Sequence, residues 1–207
     1  MSAEITPTPN GTLKAERINA LKNARGETID TSDTIFLCRC GASKNKPYCD
    51  LSHNTVKFSD KRKRTKGGPV SEFVGNDITV VDNVRQCAHS DHCVDGAPKT
   101  FFTVEAGARV SRHLASDTTR VIAAIRRCPS GSSLYKQSGK LVYEFSADTE
   151  VLAERNGPYR VQRARLNGAR PATEDHYTLC RCGASTNKPF CDGMHVKVKF
   201  RDGSIGS

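Results

Sequence analysis

The hydrophobic pattern divides the chain into short strand-like runs and one helical stretch. Leu13 follows Gly11-Thr12 into a predicted strand, and Tyr159 follows Gly157-Pro158 into another. A turn comes next in each case, at Asn23-Ala24-Arg25-Gly26 and at Asn167-Gly168. A second strand is expected near Ile35–Leu37 and near Tyr177–Leu179. Between these outer segments, Asp77–Val81 alternates toward strand. Ser116-Asp117 caps a helix predicted over Thr118–Arg127, with Val121, Ile122 and Ile125 on one face. Leu134–Lys136 and Leu141–Phe145 read as strands. The expected class is α+β.

Two boundaries interrupt this pattern. Lys61 to Pro69 ends in Gly67-Gly68-Pro69, and Ser146 to Gly157 is polar, with part of it open to helix. The chain divides into a first unit over 1–60, a basic linker over 61–69, a middle unit over 70–146 and a last unit over 147–207.

Composition narrows the class. In 207 residues the hydrophobic share is 36% and there is no Trp, so one large core is not expected. Small modules with thin cores usually need disulfides or metal. Nine cysteines fall into three groups of three. An odd total and C-x-C spacing argue against a secreted disulfide framework. No apolar h-region opens the chain and no run of about 18 apolar residues occurs, so neither a signal peptide nor a membrane span is expected. A cytoplasmic location follows as the expectation. Half of the net charge of +10 lies in Lys61-Arg62-Lys63-Arg64-Thr65-Lys66. That run reads as a solvated linker or as a patch that steers an acidic partner. It lacks interleaved aromatics, which argues against nucleic acid.

The chemistry lies in a pattern written twice. Cys38, Cys40, Cys49 and His53 recur as Cys180, Cys182, Cys191 and His195, both at C-x-C-x8-C-x3-H spacing and 142 positions apart. From Leu37 to Asp60 and from Leu179 to Asp202, 17 of 24 positions are identical. Three thiols and an imidazole at fixed spacing suit a metal's coordination shell. Zinc is the common occupant of such sets, but one residue between the first two cysteines is unlike a C-x2–4-C knuckle. Asp50 and Asp192 stand where each can cap a short helix or orient the histidine.

Cys38-Arg39-Cys40, Ser43, Pro47, Cys49-Asp50 and His53 together resemble the motif of the CDGSH iron–sulfur (NEET, mitoNEET-like) family, and Cys180 to His195 does so again. Two departures stand out: Leu51 replaces the usual Gly, and Met194 the usual small residue. The resemblance implies one [2Fe–2S] cluster per motif, with Cys38 and Cys40 on one iron and Cys49 and His53 on the other. Cys180 and Cys182 would stand likewise against Cys191 and His195. It also implies two strand/cluster-loop/short-helix units that pair as an internal pseudo-dimer around the middle unit.

Cys87-x5-Cys93 and Cys128-Pro129 follow a different ladder. Laid on the bacterial ferredoxin run, Ser90 stands where the second Cys would be and Ala97-Pro98 where the run would end. The segment resembles divergent mono-cluster ferredoxin domains, which implies a [3Fe–4S] or [4Fe–4S] cluster on Cys87, Cys93 and Cys128. Ser90, Asp91, His89, His92 or water would supply any fourth ligand. His113 and His176 belong to no motif.

No P-loop, G-x-G-x-x-G or G-x-S-x-G occurs, so a non-catalytic multi-cluster electron carrier is the expectation. Arg39, Lys46, Arg181 and Lys188 are expected to surround the clusters with positive charge and to favour acidic redox partners. The alternative is a carrier or sensor that donates labile [2Fe–2S] clusters to apo-acceptors, since imidazole protonates near pH 6.5 and competes with iron. A monomer with an internal pseudo-two-fold is expected.

Overall fold

The computed structural model describes residues 2–63, 70–90, 93, 102–105, 108–111 and 117–203. Its first strands are β1 (Glu4–Pro7), β2 (Leu13–Glu16), β3 (Ala20–Lys22), β4 (Thr28–Ile29) and β5 (Thr34–Leu37), followed by the one-turn helix α1 (Ser52–Thr55). The middle holds β6 (Ser71–Val74), β7 (Ile78–Asp82), β8 (Phe102–Glu105), β9 (Ala108–Ser111), helix α2 (Thr118–Arg126), β10 (Ser133–Gln137) and β11 (Lys140–Val142). The last are β12 (Glu150–Ala153), β13 (Tyr159–Gln162), β14 (Arg165–Leu166), β15 (His176–Leu179) and helix α3 (Met194–Lys197). The described residues are mostly small sheets with few helices, and no helix among them is long and apolar enough to cross a membrane.

Strands this short cannot each bury a core alone, and the two ends of the chain solve this by exchanging strands. One sheet runs β14-β1-β2-β5, in which β14 from the last unit joins β1 in parallel, Glu4 opposite Arg165. The other runs β15-β13-β12-β3-β4, in which β3 from the first unit joins β12 in parallel, Leu21 opposite Val151. Alternate residues point inward. Ile5, Leu13 and Leu37 therefore share one core with Val151, Val161 and Leu179. β5 and β15 each deliver the chain into a cysteine loop.

The middle unit has its own core. Its antiparallel sheet runs β11-β10-β7-β6, and α2 packs on it through Val121, Ala124 and Ile125 against Ile78, Val80 and Tyr135. Asp117 caps α2, its carboxylate accepting from the Thr119 N–H at 2.9 Å. The unit rests on the last unit. Gln86 donates to the Arg170 carbonyl at 3.0 Å, and the Phe145 and Ser146 N–H groups donate to the buried Asp175 at 3.0 and 3.1 Å.

Several expectations change. The first strand predicted begins at Leu13, yet Glu4–Pro7 forms one before it, with Ile5 fully buried between β2 and β14. Ser146–Gly157 is not helical: Val151 and Ala153 alternate inward, making Glu150–Ala153 a central strand. The strand expected over Leu141–Phe145 ends at Val142, where pairing with β10 stops. The basic run is not wholly free. Arg62 donates to Asn187 at 2.7 Å and the Lys63 N–H to the Thr186 carbonyl at 3.0 Å, laying its start along the second cysteine loop. Residues 64–69 lie outside the described residues, as does Ser116.

Candidate metal centres

Both cysteine loops are built in the same way. In the first, the Cys38 N–H donates to the Pro47 carbonyl and the Cys49 N–H to the Phe36 carbonyl, each at 2.8 Å. In the second, Cys180 donates to Pro189 at 2.8 Å and Cys191 to Thr178 at 3.1 Å. These bonds tie the ends of each loop to the strand that enters it. The Ser43 and Ser185 hydroxyls donate to the Tyr48 and Phe190 carbonyls, each at 2.7 Å.

Each loop brings its four candidate ligands together as two pairs. The sulfurs of Cys38 and Cys40 are 3.6 Å apart, and those of Cys180 and Cys182 3.7 Å. The Cys49 sulfur is 3.3 Å from His53 Nδ1, and the Cys191 sulfur 3.4 Å from His195 Nδ1. No disulfide joins any of the nine cysteines. Two ligands on one tetrahedral metal, with bonds of about 2.3 Å, sit on the order of 3.7 Å apart, so each pair fits one metal atom. Two such pairs per loop suit a two-metal group better than a single ion.

The electrostatics favour one thiolate in each Cys-x-Cys pair. In each cysteine pair one sulfur is stabilised as the anion by the other's S–H and by backbone N–H groups. Cys38 is lowered to about 5 through Cys40, and Cys182 is lowered through Cys180. The partner sulfur is pushed up through the same shared proton. Burial pushes the Cys191 thiol up and lowers His195. A metal cation offsets such burial by replacing the proton.

Asp50 and Asp192 cap rather than touch the histidines. Asp50 accepts from the Ser52 N–H at 3.0 Å and the Lys44 N–H at 2.8 Å, and Asp192 accepts from Met194 and Thr186 at 3.3 and 2.8 Å. The Ser52 side chain leads the causes that hold the Asp50 carboxyl well below the usual range. Leu51 takes the left-handed backbone, φ 69°, that Gly193 takes at φ 80° in the second loop.

The two loops meet. Cys40 and Cys182 form an antiparallel backbone bridge, and Gly41 and Gly183 allow it. A side-chain carbon on Gly41, φ +83°, would stand 2.7 Å from the Cys182 carbonyl oxygen.

The flanking cations differ from expectation. Arg39 and Arg181 are buried, and their guanidinium groups hold Asp60 and Asp202 at 3.1 and 3.2 Å and the Gly11 and Glu154 carbonyls at 2.9 and 2.6 Å. Lys188 is buried and donates to the Ser185 carbonyl at 2.8 Å, and Lys46 donates to the equivalent Ser43 carbonyl. Both arginines are therefore structural, turned inward by chain segments that need donors. They offer no surface to an anionic partner.

In the middle unit Cys87 and Cys128 are buried, and Cys93 packs against the core. The Cys128 sulfur lies 3.5 and 3.4 Å from the Ser130 and Ser132 hydroxyls, two donors suited to a thiolate. The Cys87 sulfur lies 3.8 Å from His89 Nδ1. Ser90 is half-buried, whereas Asp91, His92, Ala97, Pro98 and His113 lie outside the described residues. His176, which no motif marked, is buried with Nδ1 2.9 Å from the Asp175 carboxylate. Tyr159 is the other unmarked residue of the site. Its hydroxyl lies 2.9 Å from the carbonyls of both Cys38 and Pro47. Aligning the two copies before their loops sets it opposite Leu13, a difference visible in the sequence.

The comparisons with known proteins agree with this geometry. Residues 10–54 and 156–196 match the family described as iron-binding zinc finger of CDGSH type. Residues 73–137 match the family described as divergent 4Fe-4S mono-cluster. No curated protein and no solved structure matches the chain. This chain thus carries two domains of the iron-binding CDGSH-type family, with a domain of the divergent 4Fe-4S mono-cluster family between them.

Proposed function

We propose that this protein is a non-catalytic, multi-cluster iron–sulfur electron carrier. The observation that carries the reading is the Cys40–Cys182 bridge, which holds two equivalent ligand loops backbone to backbone. Cys38, Cys40, Cys49 and His53 would hold one [2Fe–2S] cluster, and Cys180, Cys182, Cys191 and His195 the other. Cys87, Cys93 and Cys128 would hold a [3Fe–4S] or [4Fe–4S] cluster. When bound, these groups supply one-electron chemistry, at potentials above the roughly −400 mV of all-Cys plant-type clusters where imidazole replaces thiolate. The chain's own part is to fix the ligand pairs, to bury Cys38, Cys180 and Cys191 from water, and to donate N–H groups to the sulfurs. The exchange of β3 and β14 supports an internal pseudo-dimer, and α2 on its antiparallel sheet supports an α+β ferredoxin-like insert. A monomer in the cytoplasm with an acidic redox partner completes the proposal.

One observation favours cluster donation as a second reading. Cys49 is half-buried beside a groove lined by Asp30, Ser32, Phe36 and Tyr48, whereas Cys191 is buried. The Cys49–His53 edge is thus the accessible one. Stopped-flow reduction and re-oxidation of the loaded protein, run beside cluster transfer to an apo-ferredoxin, separates the two. Electron turnover much faster than transfer supports the carrier of electrons. Transfer that outpaces turnover and is abolished by His53→Cys supports donation.

A further inference from the structure

The two CDGSH-type loops are near copies, but they have different neighbours. Among the described residues, the contacts of the middle unit with these loops fall on the second. Asn187 of that loop donates to the Arg85 carbonyl at 2.6 Å, just before Cys87. Gly193, two residues past Cys191, lies against the middle unit: a side-chain carbon there would stand 3.1 Å from both Cβ and Cδ2 of His89. The matching position in the first loop is Leu51, which is 65% exposed. A side chain at 193 would press on His89 and move it by a few tenths of an ångström, whereas the counterpart faces water.

His89 links this contact to sulfur on both sides. Its backbone N–H lies 3.4 Å from the Cys87 sulfur and its ring Nδ1 3.8 Å from the same atom. The ring's other edge meets Gly193, whose backbone N–H bonds the Cys191 sulfur. The series Cys87, His89, Gly193, Cys191 is a continuous set of contacts between a candidate ligand of the middle centre and one of the second loop. Among the described residues, the first loop follows beyond the second, through the Cys40–Cys182 bridge.

We infer that His89, packed on Gly193, is the contact through which the middle centre exchanges electrons with the second CDGSH-type centre, making the three centres a line: middle, second, first. The inference rests on the electron-carrier reading above. The step moves one electron from the reduced middle centre to the oxidised second centre. No bond forms or breaks, and a one-electron reductant supplies the first electron. His89 acts as a positioning residue, because its exposed ring lies against Gly193 on one side and beside the Cys87 sulfur on the other.

The test uses the full chain, loaded without air. Iron and sulfide counts come first. A protein without sulfide removes the electron-carrier reading, and this inference with it. The loaded protein is then reduced by a flash of photoexcited flavin. Rapid freeze-quench EPR follows the electron, with His195→Cys used to mark the second centre's signal. In the fully reduced wild type, where both centres are paramagnetic, the second centre's signal is expected to be broadened by the middle centre, and after the flash the second centre is expected to gain the electron before the first. Gly193→Leu, which installs the first loop's residue, is expected to weaken the broadening, and unchanged broadening would count against the inference. Leu51→Gly is expected to leave it intact. His89→Ala is expected to keep the broadening, since the loops stay apposed, and to slow arrival at the second centre severalfold. Full clusters with arrival at the wild-type rate in His89→Ala, or with the first centre broadened instead, would overturn the inference and leave the carrier reading standing.

Discussion

The Tyr159 hydroxyl of the last unit lies 2.9 Å from the Cys38 carbonyl of the first. The bond crosses 121 positions of sequence, and the tyrosine is fully buried. It joins one unit's strand to the other unit's ligand loop, where Pro47 is its second partner. Burial pushes the phenol above its usual range, so the hydroxyl remains a donor at all physiological pH. Tyr159→Phe leaves the first loop short of this donor. A loss of about 1–3 kcal/mol in unfolding free energy is expected from an unpaired buried carbonyl. Denaturant unfolding of the apo-protein measures it. Iron release from the first site should also quicken, while the second is unchanged.

The glycines of the bridge give a sharper contrast. Gly41→Ala would place a carbon 2.7 Å from the Cys182 carbonyl, and Gly183→Ala one 2.9 Å from the Cys40 carbonyl carbon. Gly26 has a similar φ, +81°, but nothing within 4 Å. All three substitutions carry the left-handed backbone cost of about 1–2 kcal/mol. Only the first two add a clash at the joint. Thermal melts should therefore rank Gly41→Ala and Gly183→Ala well below Gly26→Ala, and equal melting of the three would count against the bridge.

The pair Arg181–Asp202 is buried on both sides, whereas Asp60, partner of Arg39, is 31% exposed. Removing one partner of a buried pair leaves an uncompensated charge, a loss of about 3–5 kcal/mol. Arg181→Ala should approach that loss. It also removes the guanidinium from over the Tyr159 ring, 4.9 Å from its centroid. Arg39→Ala should cost less, because Asp60 can turn to water. Paired denaturant titrations decide this.

Sequence reasoning reached the ligands because their chemistry is local. C-x-C-x8-C-x3-H lies within a single loop, so spacing alone brings Cys38, Cys40, Cys49 and His53 together. Helix α2 was legible for the same reason, with Asp117 as its cap and Val121 and Ile125 on one face. The long-range pairings were not. Glu4–Pro7 becomes a strand between Leu13–Glu16 of its own unit and Arg165–Leu166 of the last, and nothing in its own composition announces that distant partner. Arg39 and Arg181 read as surface charge because sequence gives residue type and not burial. Asp60 and Asp202, which draw them inward, stand at the far end of each repeat. Asp175 stands 142 positions after Asp33, yet its role as acceptor for the Phe145 and Ser146 N–H groups arises where the middle unit docks.

Acid should separate the two outer sites. Burial lowers His195 below its ordinary value of about 6.5, with Asp192 opposing. As pH falls, the unfolded chain takes up this proton before the folded one does. Its contribution to stability is therefore full above about pH 6.5 and is lost as pH falls toward the lowered folded value. Protonation then competes with metal at the second site only in stronger acid. At the first site the sulfur beside the histidine, Cys49, is half-buried where Cys191 is buried, so that edge is expected to release first. Visible absorbance of the loaded protein should decay in two phases, with His53→Cys removing the fast one and His195→Cys the slow one.

The most direct measurement is the iron and acid-labile sulfide content of the protein purified without air. Two diiron centres and one larger cluster predict about seven or eight irons per chain with comparable sulfide, and a coloured protein with signals from more than one type of cluster. A colourless protein that holds zinc and no sulfide, whose metal content is unchanged by His53→Ala and His195→Ala, would contradict the account.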